Sequence, residues 1–275
     1  MRSVMAAAML LASPIYAQFA QAPLTFEVAS IKPSAPGVVR STLRIRVGGG
    51  DLRVEGATLK SLITMAYDVR DFQVSGGLGW INSDRFDVDA RVERSSTENV
   101  PANPRKMTDE QLRTGAQQMH ERLKALLAER CQLQVHRDTK EKTVYALVVG
   151  KGGLKLKETA GGTRPMMRMG RGQIIGQGIE IRMLAANLAT QVGRPVIDQT
   201  GLEGWFDVKL EWTPDPGQSF GPIDAPPGVE PPPPPDPNGP SLFAALQEQL
   251  GLRLESQKGP VEMLVIDRVE RPSEN

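Results

Sequence analysis

A single cysteine, Cys131, stands in a chain of 275 residues. No disulfide can therefore form within the chain, and a zinc site built from several thiolates is excluded, so stability has to come from packing. Neither sign of charge is in excess. Lys and Arg total 33 against 32 for Asp and Glu, a balance with no electrostatic footprint for nucleic acid or an anionic membrane. Long apolar runs are also missing. The one over residues 4–12 falls well short of the roughly 20 residues needed to cross a bilayer, and no later stretch comes near that length, so no membrane span is expected in the mature chain.

Catalytic signatures are equally scarce. There are two histidines, His120 and His136, and a metal site on either would need further carboxylates brought in by the fold. No Gly-x-Ser-x-Gly elbow and no His-Glu-x-x-His occurs. His136-Arg137-Asp138 spells the kinase tripeptide without the glycine-rich loop or Asp-Phe-Gly that would give it meaning. Gly170-x-Gly172-x-x-x-Gly176 is one residue off the dinucleotide fingerprint and precedes a strand instead of joining a strand to a helix. No catalytic residue, cofactor or metal ligand is assigned on these grounds.

What is present begins with a leader. Arg2, the short apolar run and the small residues Ala17, Ala20 and Ala22 have the layout of a secretory signal peptide over residues 1–22. No cysteine near those alanines could carry a lipid. A periplasmic or secreted protein is expected.

The rest reads as a duplication. Residues 46–69 lie over residues 168–192, with Leu52, Gly56, Leu59 and Leu62 falling on Ile174, Gly178, Ile181 and Leu184 at an offset of 122. Phe86-Asp87-Val88 matches Phe206-Asp207-Val208, the block from Arg122 matches the block from Ser241, and Val144 onward is laid over Val261 onward. Each copy offers a short alternating strand, a turn at Gly56 or Gly178, and apolar side chains at helical spacing, with Thr58 as N-cap of the first helix. An extended piece, the Phe-Asp-Val strand, a second helix (111–130 or 241–250, the latter closed by Gly251) and a closing pair of strands follow. The expected fold is α+β: a tandem duplication of a β-α-β-β-α-β unit, over residues 23–157 and 158–275, with the two copies packed together. Segments from Thr25 and Thr42 read as extra strands pairing across the units. Both copies carry an insertion before the second helix, 94–108 and 213–240, and the second contains the proline run 231–235, an exposed spacer.

Cys131 follows an apolar helix end and aligns with Leu250 or Gly251, which makes it a small apolar plug rather than a nucleophile. Asp87 and Asp207 recur beside a buried Phe and suit a turn-capping role or a pairing with Arg85. Trp80, Trp205 and Trp212 mark the cleft between the copies as the place for a ligand or partner surface. The function expected is a non-enzymatic binding module for an envelope protein or cell-wall component. The alternatives are a small-ligand-binding protein or a hydrolase with its site in that cleft.

FEVASIKPS from Phe26, GGLGWINSDRFDVDA, LLAERCQLQVHRDTKEKTVYALVVGKGGLKL, PVIDQTGLEGWFDVKLEW and the tail from Ser241 together resemble a family of exported domains of unknown function, of the Solibacter type, expanded in Acidobacteria. Some of its members are fused to membrane metallopeptidase sensors, so the resemblance implies an extracytoplasmic sensing or interaction role and no substrate. Each copy is also similar to the short N-terminal domains of secretins and TonB-dependent signalling receptors. Ala244 to Leu254 matches their recurring helix best, and those modules bind protein partners.

Overall fold

The computed structural model describes residues 24–38, 41–46, 50–93, 106–160, 165–170, 172–214 and 239–273. Residues 1–22, expected to form a leader, and the bulk of the segments 94–108 and 213–240 lie outside the described residues. The chain is a mixed α/β protein with three four-stranded sheets. The first outer sheet has the order β1 (Val28–Pro33), β5 (Arg85–Arg91), β3 (Asp51–Thr58), β2 (Thr42–Arg46). The second has the order β7 (Lys157–Thr159), β11 (Trp205–Glu211), β9 (Gln173–Ile179), β8 (Met166–Gly170). A third sheet, central in that its long strands feed the cores of both others, has the order β10 (Val196–Asp198), β6 (Gln134–Val149), β12 (Leu252–Arg268), β4 (Val74–Gly76).

Helix α1 (Leu59–Tyr67) starts where the sequence places it. Thr58 is extended, and its hydroxyl accepts from the Ser61 amide at 3.2 Å, satisfying one of the donors that a helix start leaves open. A four-residue helix, α2 (Trp80–Ser83), precedes β5. Helix α3 (Asp109–Cys131) runs two residues further back than the apolar spacing predicts, because Thr108 and Gln111 form a reciprocal capping box in front of Asp109 and Glu110. Helix α4 (Ile181–Val192) follows β9. Helix α5 (Leu242–Ala245) passes directly into a π-helical turn, Leu246–Leu250, that ends at Gly251.

The two outer sheets turn into their first helices by the same device. Gly56 and Gly178 both have positive φ, 70° and 57°, beside a register shift in the β3–β5 and β9–β11 ladders. A left-handed residue at a bulge suits glycine and bends the strand out of its ladder. The amide freed by that bend is captured from the neighbouring strand: Asp87 Oδ1 accepts from Gly56 N at 2.8 Å, and Asp207 Oδ1 accepts from Gly178 N at 3.0 Å. The capping role expected of the two aspartates is what the geometry contains. Arg85, expected to pair with Asp87, instead donates to the Gly56 carbonyl at 2.6 Å, while Ser34 Oγ donates to the same Asp87 oxygen, Oδ1, at 2.6 Å.

Two expectations fail. The closing pairs of strands are not hairpins, for β6 and β12 are single strands of 16 and 17 residues that pair antiparallel along their whole length. The polar stretches around Lys140–Lys142 and Lys258–Pro260 look like turns in sequence. Each nevertheless stays in the ladder, because the other long strand satisfies its backbone. The two N-terminal strands do not pair across units either: β1 joins β5 and β2 joins β3, all in the first outer sheet.

Burial follows from this pairing. One core gathers β1, β3, β5, α1 and α3 with Leu264 and Ile266 from the far end of β12; a second gathers β9, β11, α4 and α5 with Leu252 and Leu254 from its near end. A single strand thus serves both cores. A small third cluster, Val144, Val261 and Met263, fills the stretch between.

Candidate functional site

The residues that could carry chemistry are mostly engaged in structure. Cys131 is fully buried in the first core, and desolvation there pushes its thiol up to about 12, so thiolate is not available near neutrality. His136 faces Asp267 across the β6–β12 ladder, Nδ1 lying 2.9 Å from both carboxylate oxygens, in an exposed pair of the kind that contributes about 0–1 kcal/mol. Among the described residues no group of three or more His, Cys, Asp or Glu is placed to hold a metal ion, and no helix is long and apolar enough to cross a membrane.

The three tryptophans occupy three settings. Trp80 packs against the first core and meets Phe86 edge-on at 6.2 Å. Its ring is covered by Arg271, whose guanidinium sits 5.3 Å from the ring centroid and bonds Asp84 at 2.9 Å. That bond holds the Asp84 carboxyl below its ordinary range and pins the C-terminal tail to α2. Trp205 is exposed at the start of β11. Trp212 is buried in the second core and lines a cavity.

That cavity, of about 220 Å³, is walled by Tyr145 on β6, Gln191 and Arg194 at the end of α4, and Ser241 and Phe243 at the start of α5, together with Trp212. Tyr145 and Phe243 meet at 5.6 Å with their planes at 65°, and the Arg194 guanidinium stands 6.0 Å from the Tyr145 ring centroid. Arg194 also borders a second cavity, of about 270 Å³, between Phe72 and Pro195 with Lys142 and Met263. Sequence reasoning singled out Trp212 but missed Tyr145, Arg194 and Phe243. They come from separate parts of the chain: the β6–β10 pairing and the bond from Tyr145 N to Pro195 O bring Arg194 to Tyr145, and the edge-on ring contact brings Phe243 there.

The outer sheets end in edge strands. On β8, Met166 and Met169 are exposed, while Met167 turns inward against the second core. Among the described residues β8 pairs with β9 alone.

Three sheets interleaved with five helices, and a surface offering cavities and strand edges, define an α/β domain without a recognisable reaction centre among the described residues. The chain belongs to the family described as "Protein of unknown function (DUF3738)", which matches residues 60–269. The matched stretch contains the central sheet and the second outer sheet in full and leaves out β1, β2 and β3. No curated protein and no solved structure matches the chain.

Proposed function

We propose that this protein acts outside the cytoplasm as a non-enzymatic binding module, built from two like units over residues 23–157 and 158–275, and that it engages an envelope protein or cell-wall component along β8. The observation that carries the reading is the edge itself. A row of backbone donors and acceptors unpaired among the described residues, flanked by Met166 and Met169, is a template for strand addition, and methionine side chains adapt to varied partners. The layout of residues 1–22 supports export.

Several pairings support the reading of two like units. The outer sheets share one strand order, and both bulges are held by an aspartate. The block matching Arg122 to Ser241 has an offset of 119. Carried along the long strands, that offset makes Pro260 the counterpart of Glu141, and those two residues sit opposite each other in the ladder, as a two-fold relation between the strands requires. The short strands agree: β4 pairs with Leu264–Ile266 and β10 with Tyr145–Leu147, again 119 apart. The resemblance to exported acidobacterial domains, some of them fused to metallopeptidase sensors, and to secretin and TonB-receptor modules points to the same role.

The test compares the chain with a Met166→Lys/Met169→Lys double variant as bait in envelope extract, after fractionation of cells expressing the full chain. The expected result is recovery of the chain outside the cytoplasm and of one partner that the double variant loses. Equal recovery by both baits, or retention of the chain in the cytoplasm, would sink the reading.

A further inference from the structure

The cavity at Trp212 lies where, among the described residues, one helix is short. In the first outer layer the corresponding place, just after β5, is filled: Val92 closes against Gly50, and the buried Arg122 of α3 lies beside them. Helix α3 continues for more than three turns before Arg122, whereas α5 begins at Leu242, directly after the Ser241 that matches Arg122 in sequence. The space that the longer helix start would occupy is left between the end of α4 and the start of α5, and Trp212, the residue after β11, forms part of its wall.

The wall has a definite chemistry. Trp212, Tyr145 and Phe243 supply aromatic surface, and Phe243 is 45% exposed, more than a side chain serving only the core would be. No aspartate or glutamate lines this cavity or the adjoining one, among the described residues. Arg194, common to both, and Lys142, in the second, make no ion pair with a described carboxylate. The guanidinium is instead set against the Tyr145 ring. Two cations without acidic neighbours, next to three aromatic rings, match a ligand that carries a negative charge on a flat apolar body.

We propose that this cavity binds a small arylalkyl carboxylate, with its ring against Tyr145, Phe243 and Trp212 and its carboxylate on the Arg194 guanidinium. The volume of about 220 Å³ lies below that of pockets taking drug-sized ligands, so the ligand is of amino-acid size. Ser241 Oγ accepts from the Ala244 amide at 3.3 Å, and Arg194, the charged side chain in this lining among the described residues, is the group that selects for charge. This site is separate from β8, and no β8 residue lines either cavity, so the two proposals can fail independently.

Calorimetric titration of the full chain with 3-phenylpropionate and with its uncharged amide tests the assignment. The acid is expected to bind saturably and at least about tenfold more tightly than the amide, as a charge-assisted bidentate contact implies. Arg194→Gln, at an exposed position, should bring the acid down to the level of the amide without moving the unfolding midpoint. Phe243→Ala should weaken acid and amide by the same factor. Indistinguishable binding of acid and amide, an acid that does not saturate, or an Arg194→Gln chain that keeps the preference would each overturn the proposal.

Discussion

The layer built on β3 and β5 and the layer built on β9 and β11 use the same strand order and the same glycine-and-aspartate bulge, yet they are covered unequally. The first lies under a helix of 23 residues with a complete capping box and an acidic first turn. In the second, beside α4, the corresponding place holds four α-helical residues and a five-residue π-turn. π-turns inside helices are often found at functional sites. Where the long helix seals its layer, the short one leaves an opening bounded by aromatic side chains. The difference shows how one arrangement of strands can be closed over in one place and left open in another, among the described residues.

The strongest way to break this comparison is to ask whether the layers fold separately. Because β6 and β12 pair along their full length and β12 feeds both cores, damage to either layer should lower one common transition. Leu123 on α3 and Leu246 on the π-turn are both fully buried, and replacing either by alanine should cost about 3 kcal/mol, the usual loss for a leucine truncated in a close-packed core. Urea unfolding followed by far-ultraviolet circular dichroism and by tryptophan fluorescence checks this, since Trp80 reports on the first core and Trp212 on the second. Coincident curves with a shared, lowered midpoint are expected for both variants. Two separated transitions would show the layers to be independent and remove the central sheet as the element that joins them.

Much of each layer is legible in the sequence because it is local. Thr58 before an apolar helical pattern, the repeated Phe-Asp-Val strand and Gly251 after the last helix each state their role within a few residues. The central sheet is not legible in the same way. Its long strands are polar through the middle, and Gly259-Pro260 has the composition of a turn. Only a partner 119 residues away in sequence keeps those residues extended. The cavity suffers likewise, since Tyr145, Arg194 and Phe243 carry no spacing signal and meet only in the folded chain. The start of α3 at Asp109 was readable in principle, as Thr108 and Gln111 are three residues apart in capping-box order, but the polar face of that helix hides it among loop-like residues.

A second contrast sharpens the comparison through pH. Cys131 and Leu250 close the second helix of their respective layers and are both buried, but only the thiol can ionise. Burial raises the Cys131 pKa from 9.0 to about 12 in the folded chain. The sign follows from the raised value. Its contribution is whole below pH 9, where both states hold the proton, and is lost as pH climbs from there toward about 12, because the unfolded chain releases the proton first. The limiting slope is about 1.4 kcal/mol per pH unit. Urea midpoints between pH 8.5 and 10.5 should therefore fall more steeply for the native chain than for Cys131→Ala. Parallel lines for the two chains would mean that the first core admits water to the thiol.

The smallest expected effect concerns how the helices stop. Helix α3 ends on Gln132 in the left-handed region at φ 48°, and the turn after α5 ends on Gly251 at φ 68°. A side chain with a Cβ pays about 1 kcal/mol in that region, which glycine avoids. The exchange is open in one direction only, since a Cβ at Gly251 would run into the Gly153 carbonyl where the segment after β6 crosses the cap. Gln132→Gly should stabilise the chain by about 0.5 kcal/mol. The gain is reduced by the greater freedom of glycine when unfolded and by loss of the bond from Gln132 Nε2 to the Glu129 carbonyl at 3.1 Å. In a chain of this size that corresponds to a rise of only about 1–2 °C in Tm, within reach of differential scanning calorimetry. A fall instead of a rise would show that the glutamine amide, by holding the carbonyl of Glu129, contributes more to closing the long helix than its backbone conformation costs.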